Sequence, residues 1–203
     1  MTTPREQVDL YRRAGEHVIT LISGISAEQW DAPGLGSWTV RTLVGHIGRA
    51  FTTVTEYLAK PTAHHDVHTA ADYYLVALAL TDPASIRARA EQAAHALGEN
   101  PLATIRSFRE AALAALANAG DPVISTAAGG MRLSDYLPTR IFELVVHSVD
   151  LARATGQAES LPADICRSAL QVAVEVALRR GNGEHVLLAL TGRASLPGGF
   201  SVV

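Results

Sequence analysis

The chain has 203 residues, enough to bury a core as one domain without disulfides, and 48% hydrophobic against 18% charged residues excludes a disordered chain. Aromatic residues reach only 5%, and Ala and Leu dominate the apolar set, a balance that suits helix-on-helix packing better than a β-sandwich. The net charge of −3 comes with no basic run and no aromatic-plus-basic strip, so nothing resembles a nucleic-acid footprint.

Apolar residues recur at helical spacing from Pro4 to Ile22, with Pro4 suited to the first turn. A short turn around Glu28–Trp30 leads into a Gly- and Pro-rich loop over 31–36. Ser37 or Thr39 caps a second helix that runs to about Ala59 on the stripe Val40, Leu43, Val44, Ile47, Phe51, Val54 and Leu58. Residues 60–69 form a polar loop holding His64, His65 and His68, and a short helix covers Ala70–Leu80. Asp82-Pro83 and Asn100-Pro101 each pair a cap with a proline at the first helical position, opening helices to about Leu97 and Ala119. Residues 123–126 and the Gly129-Gly130 pair form a loop or a small hairpin. Ser134 is placed to cap the next helix, with Pro138 near its first turn and Gly156 at its end. A further helix runs from Pro162 to about Arg180, and His185–Gly192 is the best strand candidate.

The polar start, Met1 to Glu6, is not a signal peptide, and no uncharged apolar run reaches the roughly 18 residues of a spanning helix. The single cysteine, Cys166, excludes an internal disulfide and a CxxC motif and fits a reduced cytosol, so a cytoplasmic location is expected.

One constellation carries chemistry. Glu143 and His147 stand four residues apart on one helix and so point the same way, one turn apart. Their neighbours Phe142, Leu144, Val145, Val146 and Val149 are apolar, and a carboxylate buried there requires a metal or a cationic partner. His46, taken alone, reads as a satisfied core histidine. If it faces Glu143 and His147 across a bundle, three ligands for a divalent ion converge, and three protein ligands with an open position are the usual layout of a catalytic zinc-type site.

Three stretches then match a known family. They are Trp38-Thr39-Val40-Arg41 leading to His46; Arg140-x-x-Glu143-x-x-x-His147-x-x-Asp150-Leu151-Ala152; and the tail Leu190-Thr191-Gly192-Arg193 with Leu196-Pro197-x-Gly199-Phe200-Ser201-Val202. The chain resembles the DinB-like metal-binding four-helix bundles, in the branch of mycothiol-dependent maleylpyruvate isomerases. The resemblance implies an all-α, up-down-down-up four-helix bundle with extra helices and a small C-terminal β element. It divides the chain into a metal-binding bundle over 1–156 and a C-terminal helix with a short β tail over 157–203. It also implies a metal held by His46, Glu143 and His147, and a low-molecular-weight thiol such as mycothiol as cosubstrate. The full-length isomerases carry a larger C-terminal domain than this sequence provides, so maleylpyruvate itself is not carried over as the substrate.

A metal with an open position lowers the pKa of a bound thiol and holds it as the nucleophilic thiolate. Cys166 lies away from the motif, so the sulfur comes from outside the protein. Zn²⁺ suits the ligand types, and Ni²⁺, Co²⁺ or Fe²⁺ also fit. Asp150 is a candidate acceptor for His147, against a surface charge or a salt bridge to Arg153 or Arg140. Arg140 reads as a structural salt bridge to Glu143 or as a contact for an anionic substrate. Arg49 points either into the pocket or to the surface, and Trp38 either walls the pocket or packs a loop on the bundle. The loop histidines 64, 65 and 68 lack nearby cysteines and read as a solvated loop. The expected function is a thiol-dependent transferase or isomerase of a small electrophilic molecule. Its rivals are a metal-dependent hydrolase and a non-catalytic metal-binding or stress protein. No nucleic-acid or membrane partner is expected, and the Ala-rich helices could form a homodimer face.

Overall fold

Side-chain caps set where most of the helices begin. In this computed structural model, which describes residues 3–80 and 82–203, α1 spans Pro4–Ser23. Thr3 and Glu6 form a reciprocal capping box at its start. Met1 and Thr2, part of the polar start, lie outside the described residues. A single 3₁₀ turn, Ala27–Gln29, precedes the loop. Of the two candidate caps for α2 (Val40–Leu58), Thr39 does the work, accepting a hydrogen bond from the Thr42 amide at 3.2 Å. Thr69 accepts from the Asp72 amide at the start of α3 (Ala70–Leu80). Asp82 caps α4 (Pro83–Ala96), and Asn100 caps α5 (Pro101–Leu116).

Strands β1 (Val123–Thr126) and β2 (Gly129–Arg132) pair antiparallel, Val123 opposite Arg132 and Thr126 opposite Gly129. The loop between α2 and α3 is stitched to both strands of this hairpin, through bridges between Pro61 and Ile124 and between Val67 and Met131. Gly130 is required there, because a Cβ would run into the carbonyl oxygen of His64. Helices α6 (Leu133–Thr155), α7 (Ala163–Arg179) and α8 (Gly183–Leu190) complete the chain.

The core is a bundle of α1, α2, α5 and α6, in which α1 and α2 each pack on both α5 and α6. Tyr11 and Phe51 meet edge to face in its centre, 5.9 Å between rings. Helix α4 covers α2, α3 and α7 flank α6, and α8 rests on α7. The all-α architecture is the expected one, and the two-stranded element is the hairpin at 123–132.

Three local expectations are corrected. Residues 183–190 form a helix rather than a strand, so the β element is not in the C-terminal tail. The run Val186–Leu190 is rich in Leu and Ala, which favour helix, and no strand among the described residues lies beside it to pair with. Ser134 is not the cap of α6, which starts one residue earlier. Its amide and hydroxyl both donate to the Asp121 carboxylate, at 2.8 and 3.0 Å, so the acceptor comes from the loop before the hairpin. Pro138 sits in the second turn of α6, beyond the first, where its missing N–H costs the helix one bond. No described helix is long and apolar enough to cross a membrane.

Candidate metal centre

The site lies where α2, α3 and α6 meet. Helix α2 buries Val40, Leu43, Val44, Ile47 and Phe51, and His46 stands at the edge of that stripe. Gly45 lets α4 press close on the other side, since a Cβ there would lie 2.5 Å from the Ala94 backbone nitrogen. On α6, Ile141, Leu144, Val145 and Ser148 turn into the core. Glu143, His147 and Asp150 keep only 21%, 15% and 20% of their side-chain surface exposed.

The ligand atoms of His46, Glu143 and His147 all lie within 4.8 Å of one another. Oε2 of Glu143 is 3.3 Å from Nε2 of His147 and 3.6 Å from Nε2 of His46. A tetrahedral ion with bonds of about 2.1 Å sets its ligand atoms about 3.4 Å apart, so both distances match the edge of such a site. The two imidazole rings meet edge to face, 4.8 Å between centroids. Two of the three side chains are also oriented from behind by hydrogen bonds. Nδ1 of His147 donates to Asp150 at 2.9 Å, which leaves Nε2 for the centre. The other oxygen of Glu143, Oε1, accepts from the Tyr74 hydroxyl at 2.7 Å. His46 has no such partner; its Nδ1 is buried and unbonded, and the Trp38 ring packs 4.9 Å from its own.

The electrostatics follow from this packing. Burial works against a charged Glu143, but the imidazoles of His147 and His46 and the Arg140 charge outweigh it and hold the carboxyl well below the usual range. Burial also opposes charge on His147, yet Asp150 and Glu143 push its pKa up to about 9. His46 goes the other way, lowered chiefly by burial against the pull of Glu143. Burial raises the Tyr74 phenol well above its ordinary value, and the Glu143 charge adds to that, so Tyr74 remains a neutral donor. A carboxylate and two imidazoles with Nε2 directed inward form a donor set for a first-row divalent ion.

The remaining sequence candidates fall into place around the three ligands. Arg49 is half-buried on α2, and its charge works against protonation of His46. Arg140 is buried and makes no salt bridge to Glu143; it lies against the rings of Tyr136 and Tyr73 instead. The rings of His65 and His68 meet edge to face, 4.3 Å apart, but the three-residue group at His46 is the only such group among the described residues. Cys166 is half-buried on α7. Tyr74 is the participant that sequence reading passed over. It reaches Glu143 from a different helix, and the Tyr73-Tyr74 pair in a short apolar helix gives no periodic signal of such a contact.

Residues 11–152 match the family model of the mycothiol maleylpyruvate isomerase N-terminal domain. Two solved structures share the fold. One is the crystal structure of the mycothiol-dependent maleylpyruvate isomerase, 19% identical, with a TM-score of 0.55 over 87% of this chain and 70% of that one. The other, a histidine-to-alanine mutant of that isomerase, is 18% identical with the same TM-score and coverage. None of the curated proteins matches the sequence.

Proposed function

The chain belongs to the mycothiol maleylpyruvate isomerase N-terminal domain family, and from that premise we propose that it is an enzyme using a small thiol at a divalent-metal centre. The ligands are His46, Glu143 and His147, the thiol is of the mycothiol type, and the substrate is a small electrophile. The observation that carries this reading is the convergence of the three ligand atoms within 4.8 Å, with Asp150 and Tyr74 bonded behind two of them. Zinc suits the ligand types best, and nickel, cobalt and iron bind the same donors.

Bound there, such an ion lowers the pKa of a thiol and presents it as thiolate. Asp150 keeps the His147 proton on Nδ1, and Tyr74 fixes one oxygen of Glu143 so that the other faces the centre. Both site carboxylates are thereby engaged, which leaves neither free as a base for activating water and favours an external nucleophile over hydrolysis. For isomerisation, the sulfur adds to one carbon of a polarised double bond. The resulting single bond turns, and expulsion of the sulfur restores the double bond with the opposite geometry. The thiol is recovered, and nothing is oxidised or reduced. Transfer of the thiol to the electrophile begins with the same addition; the negative charge left on the substrate then takes up the proton that the thiol lost, and the thioether is the product.

Elemental analysis of the wild type beside His46→Ala tests the centre. The expected result is about one divalent ion per chain in the wild type, lost in the variant. Adding a small thiol to the cobalt-loaded protein should then produce a sulfur-to-cobalt charge-transfer band. A wild type that takes up neither zinc nor cobalt would overturn the reading.

A further inference from the structure

Arg140 is only 8% exposed, yet no carboxylate lies within ion-pairing distance of it among the described residues. A buried charge ordinarily carries an opposite charge or has its donors satisfied. Of its five N–H donors, Arg140 uses the one on Nε, which donates to the Thr139 hydroxyl at 3.0 Å. Its guanidinium carbon lies 4.9 Å from the Tyr136 ring centre and 5.5 Å from that of Tyr73, so the plane is held by aromatic contacts rather than by a counter-ion. The terminal amines make no bond to protein, and the 8% of the residue left exposed keeps them in contact with solvent.

Arg140 also lies close to the candidate metal centre. Arg140 precedes Glu143 by three residues on α6, which puts their Cβ atoms about 5–6 Å apart on one face. Tyr73, which flanks Arg140, is followed by Tyr74, which donates to Glu143. A divalent ion at the centre would balance the charges of Glu143 and Asp150. The positive charges of Arg140 and Arg49 would then stand uncompensated, a field that favours anions.

We propose that Arg140 anchors a carboxylate group of the substrate through its paired terminal amines, with the reacting carbons a few bonds away against the three ligands. The planar fork of arginine fits a carboxylate by two parallel hydrogen bonds, which a lysine cannot reproduce. The inference rests on the metal-centre reading for what lies beside the anchor, while the anchor itself is testable without it.

The test is calorimetric binding of maleate and of its neutral diamide to the protein, with and without zinc. Maleate should bind at least about tenfold more tightly than the diamide, since only the charged group satisfies the guanidinium. Arg140→Gln should weaken maleate binding about thirtyfold or more, with zinc content unchanged. Arg140→Lys should recover only part of the loss. Circular dichroism checks folding; if Arg140→Gln does not fold, the lysine variant and the maleate–diamide comparison decide. Equal binding of the two ligands, or wild-type maleate affinity in a folded Arg140→Gln, would overturn the proposal. Arginine-dependent maleate binding in a protein that takes up no zinc would uphold the anchor and remove the metal reading alone.

Discussion

Asp150 accepts a hydrogen bond from Nδ1 of His147 at 2.9 Å, and that contact decides which nitrogen of the ring faces Glu143 and His46. His46 lacks a counterpart and is placed by its Trp38 neighbour. The two histidines of one centre are thus held by different forces, a charged hydrogen bond and a ring contact.

Removing the acceptor should therefore loosen His147 without emptying the site. Asp150→Ala is expected to weaken divalent-metal affinity about 10- to 100-fold, the usual effect of losing such an orienting partner. Competition against a chromophoric chelator measures it, and wild-type affinity in the variant would show that Asp150 does not orient the ligand.

Tyr74→Phe deletes one oxygen and leaves Glu143 Oε1, 2.7 Å away, without that donor, while the Thr139 carbonyl keeps its helical one. Leaving a buried acceptor unsatisfied costs about 1–3 kcal/mol, so the metal-free protein should unfold at correspondingly lower urea. The variant should also bind metal more weakly, because its carboxylate is free to turn.

Protonation of His147 sets a pH dependence. In the metal-free protein its pKa is pushed up to about 9, against an ordinary 6.5. Charged His147 therefore stabilises the fold; that contribution is full below about pH 6.5 and fades as pH rises through about 9. Metal requires the neutral ring, so affinity should climb with pH over the same window and level off above it. Burial already keeps His46 below its ordinary value, and Glu143 is ionised. Uptake of zinc near pH 7 should accordingly release about one proton per ion, read by titration in weakly buffered solution. Release of none would place His147 outside the ligand set.

Gly45→Ala tests the backbone contact behind His46. The added methyl would meet the Ala94 backbone at 2.5 Å, where no flexible side chain can give way, so α2 and α4 must separate. Overpacking of this kind costs about 1–3 kcal/mol. Thermal unfolding of the metal-free variant should show the loss, and metal affinity should fall with it because His46 is the next residue.

Much of this was legible because it is local. Glu143, His147 and Asp150 lie within two turns of one helix, and an i, i+4 spacing fixes their common direction without any tertiary knowledge. Caps at Thr39, Asp82 and Asn100 likewise follow from a side chain and an amide three residues on. What sequence could not supply were contacts made across the fold. Tyr74 reaches Glu143 from α3, Ser134 finds its acceptor in Asp121 rather than acting as the cap, and Arg140 settles between Tyr73 and Tyr136 instead of pairing with its helical neighbour Glu143. The tail misled for a different reason. A short unbroken apolar run carries no period, and its Leu and Ala content, with no strand among the described residues to pair with, makes 183–190 a helix.

The chain order of the proposed ligands has one more effect. Glu143 and His147 share a single helix, while His46 must be delivered by folding. Whenever α6 forms a few turns in an otherwise open chain, two of the three ligands are already side by side, and that chain competes with the native state for the ion. Binding to the open chain subtracts from the stabilisation that metal would otherwise confer. On the proposed reading, the native preference would rest on the single ligand that arrives from α2, so His46 would govern how strongly the ion favours the folded state over the unfolded one.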